Sequence, residues 1–188
     1  MKYVKIGGAL SASAVSLGCM RMSGLDEKRT DAIIDSALEN GINFFDHADI
    51  YGGGNSERLF GDYLKRHKGA RDKILIQTKC AIHDGQYDFS KEHIIRSAEG
   101  SLARLGVDCV DFLLLHRPDT LMEPEEVAEA FDILESCGKV RYFGVSNHSP
   151  MQIELLKTAV KQPLFINQLQ FSLTEAGMVT SGMNMNMK

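Results

Sequence analysis

The chain of 188 residues lacks most of the features that would place it outside ordinary globular proteins. No stretch approaches the roughly 20 consecutive apolar residues needed to span a bilayer, and the N-terminal MKYVKIGGALSASAVSLGC has no continuous signal-peptide core. The net charge of −4 gives no electrostatic reason to expect nucleic acid or an anionic membrane as partner. The cysteines Cys19, Cys80, Cys109 and Cys137 form no Cys-x-x-Cys pair, and no histidine stands at metal-ligand spacing. They are expected to be buried thiols in a cytoplasmic protein, where the sequon Asn147-His148-Ser149 is accidental. No metal is expected. The glycine run Gly52–Gly54 is followed by no Lys-Ser/Thr, so it reads as a flexible turn and not as a phosphate cradle.

What the chain does have is alternation. Short apolar runs at Val15–Gly18, Ile42–Asp46, Ile74–Lys79, Val110–His116, Tyr142–Asn147 and Leu164–Gln168 read as buried parallel strands. Helical spacing separates them, with Ile33, Ile34, Ala37 and Leu38 on the first face and Leu59, Phe60, Tyr63 and Leu64 on the second. Stop and start signals are explicit: Asn40-Gly41, an N-cap at Ser90, a stop at Gly106, a start at Pro124, and Ser149-Pro150-Met151-Gln152 as a capping box. The strands recur roughly every 25–35 residues, the length of a βα unit. A doubly wound sheet would show a Gly-x-Gly-x-x-Gly after its first strand, but Leu17-Gly18-Cys19-Met20-Arg21 does not match. The expected fold is an α/β TIM barrel, one domain over residues 1–188, with about six of eight βα units present. Residues 174–188 are expected to form an irregular tail.

Each run ends in a polar or ionisable residue, and in parallel α/β folds functional side chains collect at the carboxyl ends of strands. Taken singly each is ordinary: Asp46 as a loop carboxylate, Tyr51 as a rim aromatic, Lys79 as a surface lysine, His116 as a core histidine. As a set they suggest proton transfer. A phenol in water holds its proton until about pH 10, and a neighbouring ammonium stabilises the phenolate. A carboxylate keeps that ammonium charged and oriented, and a neutral imidazole can direct a carbonyl oxygen toward the phenol. Asp46, Tyr51, Lys79 and His116 therefore suggest a general acid acting on an oxyanion formed by hydride addition.

The segments Phe44-Phe45-Asp46-His47-Ala48-Asp49-Ile50-Tyr51-Gly52, Gln77-Thr78-Lys79, Leu113-Leu114-Leu115-His116-Arg117-Pro118-Asp119, Gly144-Val145-Ser146-Asn147 and Asn167-Gln168-Leu169-Gln170 resemble, in order, the signatures of the aldo-keto reductase family. Within it the chain looks most like the bacterial YdhF-like oxidoreductases. The resemblance implies the family's (β/α)8 barrel, with about six βα units present here, and NADPH-dependent reduction of an aldehyde or ketone, with NADH as the alternative cofactor. It implies Tyr51 as proton donor, Lys79 and Asp46 as its partners, and His116 as the group that orients the substrate carbonyl. Ser146, Asn147 and Gln168 would hold the nicotinamide carboxamide, with Cys19 and Met20 beside the same mouth. His47 stands where relatives carry threonine or serine. The elements that grip the cofactor phosphates follow the sixth strand in the family, so the chain is expected to be incomplete and to bind cofactor poorly as given. Two alternatives remain open from the residues: a Schiff-base aldolase using Lys79, and a non-catalytic regulatory or binding protein on the same fold.

Overall fold

The computed structural model describes residues 1–8 and 10–180. In chain order these residues form β1 (Tyr3–Ile6), β2 (Leu10–Ser13), β3 (Leu17–Gly18), α1 (Glu27–Glu39), β4 (Phe44–Asp46), α2 (Asn55–Arg66), β5 (Leu75–Cys80), β6 (Ile82–His83), β7 (Gln86–Tyr87), α3 (Lys91–Leu105), β8 (Val110–Leu115), α4 (Pro124–Ser136), β9 (Val140–Ser146), α5 (Pro150–Leu156), β10 (Leu164–Gln168) and α6 (Gly177–Thr180).

Six parallel strands make one curled sheet in the order β3-β4-β5-β8-β9-β10, a partial barrel wrapped by helices. These are the six expected strands, although the first is only Leu17–Gly18, because Val15 lies out in solvent. Two antiparallel hairpins were not expected, β1–β2 and β6–β7. The second turns at Asp84-Gly85, both in the left-handed region, which is the chemistry of a two-residue hairpin turn. Within the segment expected to be irregular, Gly177–Thr180 form a helical turn. The remainder of that segment from Ser181 onward lies outside the described residues.

The helix ends follow their sequence signals. Asp26 caps α1 by accepting from the Arg29 N–H, and Ser90 caps α3 by accepting from the His93 N–H. Gly106 ends α3 at φ 65°, and Ser149 with Gln152 closes a complete capping box on α5. The Gly52–Gly54 run is a built turn: all three residues have positive φ, and a Cβ on Gly52 would come within 2.2 Å of the Ser23 side chain. It swings the chain from β4 into α2.

One face of the sheet packs against the helices, with Phe45, Ile76, Leu113 and Phe143 fully buried and Phe131 of α4 stacked on Phe143 at 3.9 Å. On the other side a row of rings crosses the sheet, Phe44 to Phe112 to Tyr142 to Phe165, with centroids 5.8, 5.5 and 5.2 Å apart. A register shift between Leu164 and Ile166 sets Gln168, rather than Asn167, opposite Ser146. In the register, Asp46 stands opposite Gln77, Lys79 opposite Leu114, and Gln168 opposite Ser146. The polar strand ends are thereby levelled at one rim.

Candidate active site

Asp46 ends β4 and is 7% exposed, and Lys79 lies near the end of β5 at 2%. Burying a lysine is unfavourable unless every N–H finds an acceptor, and here all three do. Lys79 Nζ donates to Asp46 Oδ1 at 2.6 Å, to the His47 carbonyl at 2.9 Å and to the Tyr51 hydroxyl oxygen at 3.2 Å. The ammonium also lies 5.1 Å from the Tyr51 ring centroid.

Tyr51 reaches this position because its loop continues the sheet's bonding. The His47 N–H donates to the Gln77 carbonyl, the Asp49 N–H to the Lys79 carbonyl, and the Tyr51 N–H closes a turn on Ala48. Beneath the loop Ser97 Oγ donates to Asp49. The buried Glu57 accepts from Thr78 Oγ1 at 2.6 Å and from Arg104 Nε at 2.7 Å. Burial raises the Asp49 carboxyl to about 6.

His116 follows β8 and presents its ring to Tyr51, with centroids 6.0 Å apart and planes at 81°. Its Nδ1 is buried without a hydrogen-bond partner. Burial first, then the Lys79 ammonium and Arg117, push the imidazole down to about 4, so it is neutral near pH 7.

Ser146 ends β9, and its Oγ donates to the Gln168 carbonyl at 3.0 Å. Asn147 adopts φ 62°, a conformation asparagine tolerates better than most residues. Its amide turns back to donate to Ser146 Oγ at 2.8 Å and to the His116 carbonyl at 3.3 Å. Gln168 Nε2 donates to Asp46 Oδ2 at 3.1 Å.

Of the seven residues singled out from sequence, six (Tyr51, Lys79, His116, Ser146, Asn147 and Gln168) line one open cavity of about 240 Å³, and Asp46 binds Lys79 and Gln168 beside it. Cys19 and Met20 do not line it: Cys19 is 1% exposed, with burial and the Asp46 carboxylate raising its thiol, and Met20 faces solvent. The expectation of four buried thiols holds for Cys19 and Cys80 alone, since Cys109 is half-buried and Cys137 exposed. His47 points away from Asp46 into the helix layer, edge-on to Phe60 at 4.6 Å. Both its ring nitrogens lack partners, and burial pushes it down to about 3.

Sequence reasoning passed over Gln77. It is 3% exposed, and its Nε2 donates to Asp46 Oδ1 at 2.5 Å and to Gln168 Oε1 at 3.2 Å. The signal was present, because Gln77 lies two residues before Lys79 in a strand and so faces the same side. A larger cavity, about 590 Å³, lies at the opposite end of the sheet among Leu10, Leu64, Arg71, Cys109 and Arg141, and holds none of the strand-end groups. Among the described residues no group of three or more His, Cys, Asp and Glu could hold a metal, and no helix is long and apolar enough to cross a membrane.

The chain is 40% identical over 187 residues to the uncharacterized oxidoreductase YcsN of Bacillus subtilis, covering 93% of this chain and 62% of YcsN. It is 42% identical over 159 residues to the oxidoreductase YdhF of Escherichia coli, covering 80% and 53%. The solved glycerol dehydrogenase of Gluconobacter oxydans superposes with a TM-score of 0.82 at 30% identity, covering 93% of this chain and 56% of that one. The chain thus spans between about half and two thirds of the length of these relatives. The sequence profile of the Aldo/keto reductase family matches residues 14–184, nearly the whole chain and every strand of the curled sheet, and the protein belongs to that family.

Proposed function

We propose that the protein reduces an aldehyde or ketone to an alcohol, with NADPH as hydride donor and Tyr51 as proton donor. One observation carries this reading: the Tyr51 hydroxyl, the Lys79 ammonium and the His116 imidazole converge on one cavity, with Asp46 bonded to the ammonium at 2.6 Å.

The donor set suits a nicotinamide. Its carboxamide carries both a donor and an acceptor, and the Ser146 hydroxyl with the Asn147 and Gln168 amides offers the matching pair beside the acid group. NADPH, or NADH in its place, supplies the hydride when bound. The neutral His116 donates a hydrogen bond to the carbonyl oxygen and fixes it near the phenol. Tyr51 then delivers its proton to the oxyanion that hydride addition creates. The Lys79 ammonium, 3.2 Å from the phenol oxygen, stabilises the negative charge left there. Asp46 anchors the ammonium and balances its charge in a nearly dry setting.

The aldolase reading is weakened by the same geometry. A Schiff-base lysine needs a free lone pair, and Lys79 Nζ is committed as a donor to three acceptors. A non-catalytic binding role would give no reason to keep the phenol, ammonium and imidazole around a cavity. The protein should be incubated with C4-deuterated NADPH and a panel of aldehydes and ketones, with mass spectrometry of the alcohols. Deuterium at the carbinol carbon is the expected result; no transfer to any carbonyl from NADPH or NADH contradicts the reading.

A further inference from the structure

Gln77, Asp46 and Gln168 form a closed ring of hydrogen bonds from three strands, β5, β4 and β10. Gln77 Nε2 donates to Asp46 Oδ1 at 2.5 Å and to Gln168 Oε1 at 3.2 Å, and Gln168 Nε2 donates back to Asp46 Oδ2 at 3.1 Å. The Gln77 amide orientation is dictated by its surroundings, since only its nitrogen can face two acceptors. Its Oε1 is left buried without a partner. An apolar side chain of similar size would fill the same space without that orphan acceptor, so packing alone does not account for a glutamine here. What the amide adds is the link between Asp46, on the proton-transfer side of the cavity, and Gln168, on the Ser146-Asn147 side.

We propose that Gln77 is a positioning residue that joins the proton-transfer group to the cofactor amide site, holding Asp46 under Lys79 and orienting the Gln168 amide. Both ends of the Gln168 amide are already in use, on Asp46 and on Gln77. Each end keeps one further N–H or lone pair with which it can meet a ligand amide, so the ring fixes the plane in which these are offered. Gln77, sharing Asp46 Oδ1 with Lys79, ties that plane to the carboxylate that holds the ammonium. The catalytic readouts below rest on the carbonyl-reduction reading; the exchange readout does not.

Gln77→Met removes the shared donor with little change in volume. The expected results are a kcat lowered about tenfold and an NADPH dissociation constant raised roughly three- to tenfold, the sizes associated with losing one hydrogen bond to a charged and one to a neutral group. Gln77→Glu separates positioning from packing. Its neutral carboxyl can still donate to Asp46, whereas its ionised form repels it. The activity of Gln77→Glu relative to the parent should therefore fall as the medium is taken from about pH 5 to about pH 8, a trend that Gln77→Met should not share. By NMR without cofactor, the Gln168 side-chain amide proton bonded to Asp46 should exchange slowly in the parent and at least about tenfold faster in either variant, since breaking the ring exposes it to opening. Should Gln77→Met fail to fold, Gln77→Glu carries the test. Variants that lose only thermal stability, with kcat, NADPH affinity and Gln168 exchange within about twofold of the parent, would overturn the proposal. If the parent neither reduces a carbonyl nor binds NADPH, the functional reading fails by itself, and the exchange rates still decide the role of Gln77.

Discussion

At the carboxyl ends of the strands Asp46 is held by Lys79, Gln77 and Gln168; at the amino ends of the same sheet Asp111 is held by Arg71, Arg141 and the Ile76 N–H. Both carboxylates are buried, and both accept from three donors. The difference lies in where the donors lead. Arg71 goes on to bond the Ile74 and Cys109 carbonyls, so the Asp111 cluster ends in scaffold atoms and pins β5 to β8. Lys79 goes on to the Tyr51 hydroxyl, which faces an open cavity beside a neutral imidazole. The larger cavity lies at the amino end, yet the convergent polar groups lie at the carboxyl end. Size does not locate chemistry here; groups with capacity left to act on a ligand do.

That contrast can be broken by substitution. The largest effect is expected for Lys79→Met, which removes the centre of the carboxyl-end cluster. Carbonyl reduction should fall by at least about 100-fold, the usual scale for disabling a general acid. Urea unfolding should also show a loss of about 3 kcal/mol from breaking a buried ion pair. Asp111→Ala should cost a similar ~3 kcal/mol in stability. Its kcat per folded molecule should stay within about twofold, because no donor to Asp111 lines the cavity of Tyr51 and His116. A large fall in kcat for Asp111→Ala at unchanged stability would erase the distinction between the two ends.

A smaller effect comes from pH. His116 is shifted from an ordinary 6.5 to about 4 and His47 to about 3, so between about pH 6.5 and 4 the unfolded chain binds protons that the folded protein refuses. Their contribution to stability is complete above that window and is lost as pH falls through it. Asp49, raised from 3.8 to about 6, acts in the opposite sense and offsets part of the loss. The urea midpoint should therefore decline from pH 7 to pH 4, and His116→Asn should flatten the decline. An unchanged slope in that variant would show that the acid sensitivity arises elsewhere.

The same contrast explains what could be read from the sequence. Asp46, Lys79, His116, Ser146 and Gln168 stood out because a polar residue at the end of an apolar run has no packing use, and the curled sheet levels those ends at one rim. Helix limits at Asn40, Ser90, Gly106, Pro124 and Ser149 were legible because caps are local chemistry. Asp111 was hidden inside the run Val110–His116, its arginines lying 40 residues before it and 30 after it. For Gln77 the strand face was legible, but its bond was not, because its partner Gln168 is 91 residues away. The hairpin β1–β2 escaped notice because Tyr3, Val4 and Lys5 are exposed and show no buried face, although Gly7-Gly8 marks its turn. The depth of Lys79 also ran against the usual surface fate of lysine, and only the three acceptors around its Nζ explain it.

The most direct test of the central claim is single-turnover oxidation of NADPH by a carbonyl substrate in the parent and in Tyr51→Phe, with NADPH affinity measured in parallel. The substitution removes one hydroxyl and leaves the cavity shape intact. The expected result is a rate lowered by about 100-fold or more with NADPH affinity within about twofold of the parent. A Tyr51→Phe protein that turns over at the parent rate would contradict the assignment of Tyr51 as the proton donor.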